Sequence, residues 1–227
     1  MIKSQRLLPG DRLPSERELA QTYQVSRMTA RQALRELETE GVLVRIQGAG
    51  SYVSEAKLVE NVLELSSFTE DIERRGMASS TRLLGVRLCK PDELLRRALL
   101  LTAQHLVCQI DRLRLADGTP MSLETMYLAA HRFPGIENKD LSGSIYRLLQ
   151  DDYGLQIGMA TQTIEAVYPS TTEAQLLAAP ARTAFLRLKK LTASTDAVPF
   201  ESVTALYRGD RYAFETQLFH RPAGTSD

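Results

Sequence analysis

The run Ser26-Arg27-Met28-Thr29-Ala30-Arg31-Gln32-Ala33-Leu34-Arg35-Glu36-Leu37 constrains the chain more than any other. Ser26 is a favourable N-cap, neither Gly nor Pro interrupts the run before Gly41, and a glycine there supplies the left-handed turn that ends many helices. On this predicted helix Ala30, Ala33, Leu34 and Leu37 share one side, while Arg27, Arg31 and Arg35 recur at every fourth residue on another. One side asks for a core and the other for an anion, because neighbouring arginines repel and surface helices usually alternate charge sign. A solvated surface helix is the plainer alternative, and the flanking sequence argues against it.

Upstream, Ser15 with Glu18 three residues on forms a capping box, so a helix starts there with Leu19, Ala20 and Tyr23 turned inward. Gln24-Val25 is then the short connection of a helix-turn-helix. Downstream, Val42–Gln47 and Ser51–Val53 read as strands closed into a hairpin by Gly48-Ala49-Gly50. Helix, turn, helix and β-ribbon in that order make a winged helix. Presented N-terminus first to a major groove, the second helix lets Arg27 and Arg31 reach base edges or phosphates, with Thr29 as a short hydroxyl contact between them. Glycine at the ribbon tip allows close backbone approach to a minor groove or phosphate.

Composition adds exclusions. Lys+Arg and Asp+Glu are equal at 28 each, so the chain is no polycation, and only a local patch can grip nucleic acid. Two cysteines, Cys89 and Cys108, make neither a disulfide framework nor a zinc motif and read as core thiols. His105, His131 and His220 lie far apart in sequence, so neither a metal nor a cofactor is expected. No apolar run is long enough to span a bilayer and no signal peptide is visible, which points to the cytoplasm and away from membranes.

Gly10-Asp11-Arg12-Leu13-Pro14-Ser15-Glu16-Arg17, Val25–Leu34, Glu40-Gly41-Val42-Leu43 and Gly48–Val53 together resemble the GntR-type bacterial repressors over residues 9–53. The resemblance implies that Arg17, Arg27, Thr29 and Arg31 contact double-stranded operator DNA, with Gln47 and Gly48 at the wing tip. Arg45 is either a further phosphate contact or a solvent-facing strand residue. The family usually carries a full helix ahead of the Pro-Gly, whereas only Met1 to Leu8 stand here; the expectation is that the true start lies upstream.

Three segments follow from the pattern: a winged helix over 1–54, a linker over 55–62 and a second domain over 63–227. In the last, strands are expected near 81–88, 104–115, 120–128, 159–168, 183–194, 198–207 and 211–219, and helices near 67–75, 91–100, 142–152 and 171–178. The fold class is α+β with an antiparallel sheet, and no internal repeat is evident in the sequence. Ser67 and Glu70 form another capping box. Arg112 and Arg114, two apart on one strand, project from one face, and a paired-arginine face is costly without an anion; phosphate suits the fork of a guanidinium. A three-residue turn at Asp117-Gly118-Thr119 would pair 112 with 124 and bring Glu124 to that face; a two-residue turn would send it to the opposite one. The plainer alternative for the trio is an ion pair at an exposed sheet edge. Ser144 opens a helix, while Tyr146 and Tyr207 taken singly are ordinary core tyrosines.

Leu65–Asp71, Arg75-Gly76-Met77, Arg112-Leu113-Arg114, Pro120–Glu124, Ser144-Ile145-Tyr146 and Val203–Tyr212 are similar to the ligand-binding, UTRA-type domain of the HutC subgroup of that family, and among it to repressors of N-acetylglucosamine use. The resemblance implies a chorismate-lyase-like fold and a phosphorylated amino sugar such as glucosamine 6-phosphate or N-acetylglucosamine 6-phosphate as effector; a homodimer is expected from operator geometry, since one winged helix reads few base pairs. It places Phe68, Thr69, Arg112, Arg114 and Ser144 at the phosphate and Glu124, Tyr146, Glu201 and Tyr207 around the sugar, with Tyr127 where ligand choice can vary. Rival readings are a small-molecule enzyme, with Glu124 beside Arg112 in acid–base work, and a sensor that no longer binds DNA.

Overall fold

Side-chain caps decide where the helices of the computed structural model begin; it describes residues 7–8, 10–39, 42–46, 49–53, 57–61, 65–180 and 183–217. The chain divides into two compact units, Met1–Leu58 and Val59–Asp227.

In the first unit, Ser15 caps α1 (Glu16–Thr22) through the full capping box: its hydroxyl accepts from the Glu18 amide at 3.3 Å, and its own amide donates to the Glu18 carboxylate at 2.7 Å. Ser26 caps α2 (Arg27–Thr39), accepting from the Thr29 amide at 3.0 Å. The hairpin β1 (Leu43–Ile46) and β2 (Gly50–Val53) pairs Leu43 with Val53 and Ile46 with Gly50. Gly50 has φ +117°, a conformation that favours glycine, and a Cβ there would press on the Arg12 guanidinium at 3.1 Å. Leu13, Leu34, Leu43 and Val53 form the core, with Leu7, Leu19 and Leu37 packed against them. Two inward assignments fail. Tyr23 is the C-cap of α1 and 55% exposed. Ala33 is exposed, since the buried stripe of α2 runs through Ala30 and Leu34 and leaves Ala33 on its flank. Gly41, read as the helix stop, lies outside the described residues.

The second unit is an α+β domain on a six-stranded antiparallel sheet. Its strands are β4 (Ser79–Cys89), β5 (Val107–Ala116), β6 (Thr119–Ala129), β7 (Ile157–Val167), β8 (Phe185–Ser194) and β9 (Pro199–Arg208), in the order β4-β5-β6-β9-β8-β7. Its helices are α3 (Phe68–Arg74), α4 (Glu93–Ala98), α5 (Ile145–Tyr153) and α6 (Thr171–Leu176). Within the stretch read as linker the chain forms β3 (Leu58–Asn61), which pairs with β10 (Tyr212–Glu215) in a separate two-stranded sheet. Exposed alternation in so short a segment gives the sequence no sign of it; its partner lies at the far end of the domain.

The sheet is a structural repeat. Ser79, Glu93 and Val107 begin β4, α4 and β5, and Ile157, Thr171 and Phe185 begin β7, α6 and β8 at one constant offset. Leu100 and Ala178, matched by that offset, both have positive φ, and Leu99 and Leu177 are both buried. The halves meet at β6 and β9, with α4 packed on β9 and α6 on β6. The repeat is invisible in sequence because only backbone shape and burial are shared, and few side chains coincide. Leu113, Leu177, Phe185 and Leu206 cluster on one face of the sheet, which leaves the even-numbered positions of β5 on the other. Cys108 is wholly buried there, and burial, then Glu137, pushes its thiol up to about 11.

The β5–β6 turn corrects the route to a correct register. Ala116 pairs with Thr119, so the turn is the two-residue Asp117-Gly118, with φ of 47° and 75°, and not three residues. A bulge at Met121 then restores the lost residue: Arg114 faces Ser122 and Arg112 faces Glu124.

Candidate functional site

Two places gather cations, one in each unit. In the first, Arg12, Arg17, Arg27, Arg31 and Arg45 line an open concavity of about 710 Å³, with Glu16 and Glu18 the only acidic residues among its lining. Overall neutrality therefore conceals a local basic surface. Arg17 and Arg27 are exposed on it. Arg31 and Arg45 converge on Glu16, at 3.0 and 3.4 Å, and the Arg31 hydrogen bond leads in holding the Glu16 carboxyl below its ordinary value. Thr29 is partly committed to the cap, its hydroxyl 2.8 Å from the Ser26 hydroxyl. Gln47 and Gly48 lie outside the described residues. Sequence reasoning missed Arg12 and Glu16 here: Arg12 reaches the surface by bridging to Tyr52, a contact that neither helix pattern announces.

In the second unit, the sheet register sets a polar row. Arg112 lies opposite Glu124, Glu124 opposite Ala205, and Ala205 opposite Leu188, so residues from four strands share one face. The N-termini of α3 and α5 close over it. Ser67 caps α3 and Ser144 caps α5, and the Ser144 hydroxyl donates to that of Ser67 at 3.1 Å, so the two caps hold each other. Phe68, Arg112, Arg114, Ser144, Glu124, Tyr146, Glu201 and Tyr207 thus come to one cavity, and Thr69 joins through its hydroxyl, which accepts from Arg114 at 2.6 Å. The predicted residues assemble at an enclosed pocket and not at an exposed sheet edge.

Arg112, 3% exposed, donates to Glu124 at 2.9 Å and to the carbonyls of Leu141 and Gly143 at 3.3 and 3.2 Å. Arg114, 1% exposed, lies 4.8 Å from the centre of the Phe68 ring. Burial, then the neighbouring charge of Arg112, lowers Arg114 to about 10. Burial alone would raise Glu124, but Arg112 and Arg114 outweigh it and hold the carboxylate ionised. Tyr146 donates to Glu201 at 2.9 Å, and burial, then Glu201, raises its pKa. Arg112 Nε, Arg114 Nε, the hydroxyls of Thr81 and Ser122, and Glu201 Oε1 are buried without a hydrogen-bond partner among the described residues. Thr81 and Ser122 flank Arg114 in the sheet, so the unmet donors are concentrated on one spot.

Lys190, Gln162 and Glu60 also line this cavity and were not found from sequence. Lys189-Lys190 gives no hint of which lysine faces in; only strand parity shared with Leu188 could have told. Glu60 arrives from β3. Tyr212 donates to Glu60 and to Asp71, and Arg75 binds Asp71 at 2.8 Å and the Val59 carbonyl, which ties α3 to β3. His105 and His131, remote in sequence, stack with ring centres 4.0 Å apart, and the described residues contain no cluster that could hold a metal ion. Nor is any described helix long and apolar enough to cross a membrane.

A helix-turn-helix with a β-ribbon in one unit, and a small cavity walled by buried charged side chains in the other, are the architecture of a two-domain DNA-binding regulator. Residues 1–53 match the family model described as bacterial regulatory proteins, gntR family, and residues 74–213 match the UTRA domain. The HTH-type transcriptional repressor NagR of Bacillus subtilis is 35% identical over 213 residues, covering 94% of this chain and 88% of that protein. The HTH-type transcriptional repressor PhnF of Mycolicibacterium smegmatis is 35% identical over 212 residues, covering 93% and 85%. The crystal structure of PhnF from Mycobacterium smegmatis matches with a TM-score of 0.72 at 33% identity, covering 95% of each chain. The chain belongs to the GntR family of bacterial regulatory proteins and carries a UTRA domain; it is a regulator and not an enzyme.

Proposed function

We propose that the chain is a transcriptional repressor which binds a two-fold operator as a homodimer and whose affinity for it is set by a phosphorylated amino sugar. In this reading Arg17, Arg27, Thr29 and Arg31, with Gln47 and Gly48 of the wing, contact the operator; Arg12 and Arg45 add phosphate contacts. Phe68, Thr69, Arg112, Arg114 and Ser144 hold the effector phosphate, and Glu124, Tyr146, Glu201 and Tyr207 surround the sugar. Dimerisation follows from specificity: one winged helix reads few base pairs, and two placed about 34–36 Å apart read a palindrome.

The unmet hydrogen bonds carry the effector assignment. Two guanidinium N–H groups are unmet on the Arg112–Arg114 side of the cavity, with the unmet hydroxyls of Thr81 and Ser122 beside Arg114 in the sheet, while a lone carboxylate oxygen of Glu201 waits on the other side. Each such group costs about 1–3 kcal/mol if left unmet. A phosphate supplies acceptors to the first set, and a sugar hydroxyl or N–H supplies a donor to the second. Similar proteins include the mannosyl-D-glycerate transport/metabolism system repressor MngR of Escherichia coli, 32% identical over 171 residues, whose name ties a member of the family to a sugar derivative.

The cavity measures about 50 Å³. That is room for a water or two at about 30 Å³ each, where ligand pockets generally run to about 300 Å³ or more. Effector entry therefore requires α3 and α5 to part, exchanging the Ser67–Ser144 and Thr69–Arg114 bonds for bonds to phosphate. Because Asp71 and Arg75 fasten α3 to β3, that movement passes to the strand by which the chain leaves the first unit. The two states differ in their effector contacts, as linkage demands of any switch.

Titrating glucosamine 6-phosphate and N-acetylglucosamine 6-phosphate into the complex of the protein with DNA from its own upstream region is the test. A change in operator affinity that disappears in Arg114→Met is expected. Unchanged affinity with both sugars discards the effector assignment, and failure to bind any upstream fragment discards the repressor reading.

A further inference from the structure

One hydroxyl stands between the cavity and the strand by which the chain leaves the first unit. Tyr212, 1% exposed, opens β10 beside β3. Its ring lies 4.4 Å from that of Tyr207, which lines the cavity, and 5.3 Å from that of Phe214, so packing places the ring without help from the hydroxyl. The hydroxyl itself reaches two carboxylates on different elements, Glu60 of β3 and, at 3.3 Å, Asp71 of α3. A phenol carries one proton and serves either acceptor at the expense of the other. Burial, then Tyr207 and Glu60, raises the Tyr212 pKa, so that proton stays in place.

Asp71, 4% exposed, is where two bridges from α3 to β3 begin. It accepts from Arg75 at 2.8, 2.9 and 3.1 Å, and Arg75 donates in turn to the Val59 carbonyl. Successive residues of β3 are therefore gripped, Val59 through a guanidinium and Glu60 through a phenol, and both grips lead back to one carboxylate. The guanidinium bridge is charged and many-pronged. The phenol bridge is a single bond, long on the Asp71 side, so a small shift of α3 decides whether the proton serves Asp71 or Glu60 alone. Glu60 meets the cavity as well. The hydroxyl is thus a two-state element which helix movement on one side and cavity occupancy on the other both bias, as coupling between distant sites requires.

We propose that Tyr212 is the positioning residue which couples an occupied cavity to β3, its hydroxyl passing from a share with Asp71 to Glu60 alone as α3 moves. The proposal rests on the phosphosugar reading above. Operator affinity of the full chain is measured with and without saturating glucosamine 6-phosphate or N-acetylglucosamine 6-phosphate. The ratio should be about tenfold or more in the unaltered protein and fall below about threefold in Tyr212→Phe. Affinity of the variant for the sugar phosphate alone, by calorimetry, and for the operator alone should each stay within about threefold. Hydrogen exchange gives a second readout: the sugar phosphate should alter protection of residues 58–61 together with 68–74 in the unaltered protein, and of 68–74 only in Tyr212→Phe. A full ratio in Tyr212→Phe, or a ratio lost only because sugar or DNA no longer binds, overturns the coupling role. So does a β3 whose exchange ignores the ligand while α3 responds, a result that needs no variant and decides the matter if Tyr212→Phe fails to fold. In each of these cases a shift of operator affinity in the unaltered protein leaves the phosphosugar reading standing. If neither sugar phosphate binds the unaltered protein or shifts its operator affinity, that reading falls and this one with it.

Discussion

Two sets of arginines sit in opposite dielectric surroundings. Arg31 and Arg45 share Glu16 on an open surface, with side-chain exposures of 45% and 51%, while Arg112 meets Glu124 at 4%. The same residue types at nearly the same distance do different work. On the open surface water and salt screen the pairs, so they can be exchanged for DNA phosphates at small cost. Inside the sheet each charge has lost its water, and the pair cannot be broken without leaving an uncompensated ion. An exposed cluster suits an electrostatic grip that must let go; a buried one suits a ligand that must be told apart from water.

The sharpest way to break this contrast is to remove one buried partner. Arg112→Ala should lower unfolding free energy in urea by about 3–5 kcal/mol, because Glu124 is left alone, and Arg112→Met with Glu124→Met should recover most of it. A loss under about 1 kcal/mol would mean that water reaches the pair. Next in size is the surface set. Arg27→Ala should weaken operator binding about tenfold, nearly uniformly across sequences if it touches phosphate, and should reduce the slope of log affinity against log salt by about one. A sequence-selective loss would place it on a base instead.

Glu16→Gln tests the exchange directly. Freed from their shared carboxylate, Arg31 and Arg45 should raise operator affinity by about threefold at low salt, an advantage that fades as salt rises. The smallest effect belongs to Glu60. Burial, foremost, raises its pKa above 4.5 in the folded state. The folded protein then holds a proton that the unfolded chain releases, so stability should fall as pH climbs from about 4.5 through the raised value. Glu60→Gln should flatten that part of the pH–stability curve.

The legibility of the two sites differs for the same reason. The first rests on spacing within one helix, and Arg27 and Arg31 of the four-residue repeat land on the concavity, while Arg35 is not among its lining. The second rests on pairing between strands distant in sequence. Parity placed Arg112 and Arg114 together, but Glu124 reaches them only because a bulge at Met121 offsets a turn one residue shorter than expected. Lys190 stayed hidden because adjacent lysines look alike until the register chooses one.

Sequence alone determined what is local: the serine caps at Ser15, Ser26 and Ser67, the helix opened at Ser144, the place of the turn at Asp117-Gly118 though not its length, and the alternation that makes strands. These depend on neighbours within a few residues, and the backbone answers to them wherever they occur. The tertiary structure decided which face each strand turns to the pocket, that Glu16 gathers two arginines, that β3 finds β10, and that one tyrosine hydroxyl reaches both Glu60 and Asp71. Such facts come from contacts between segments far apart in the chain, where a single inserted residue exchanges the inside for the outside.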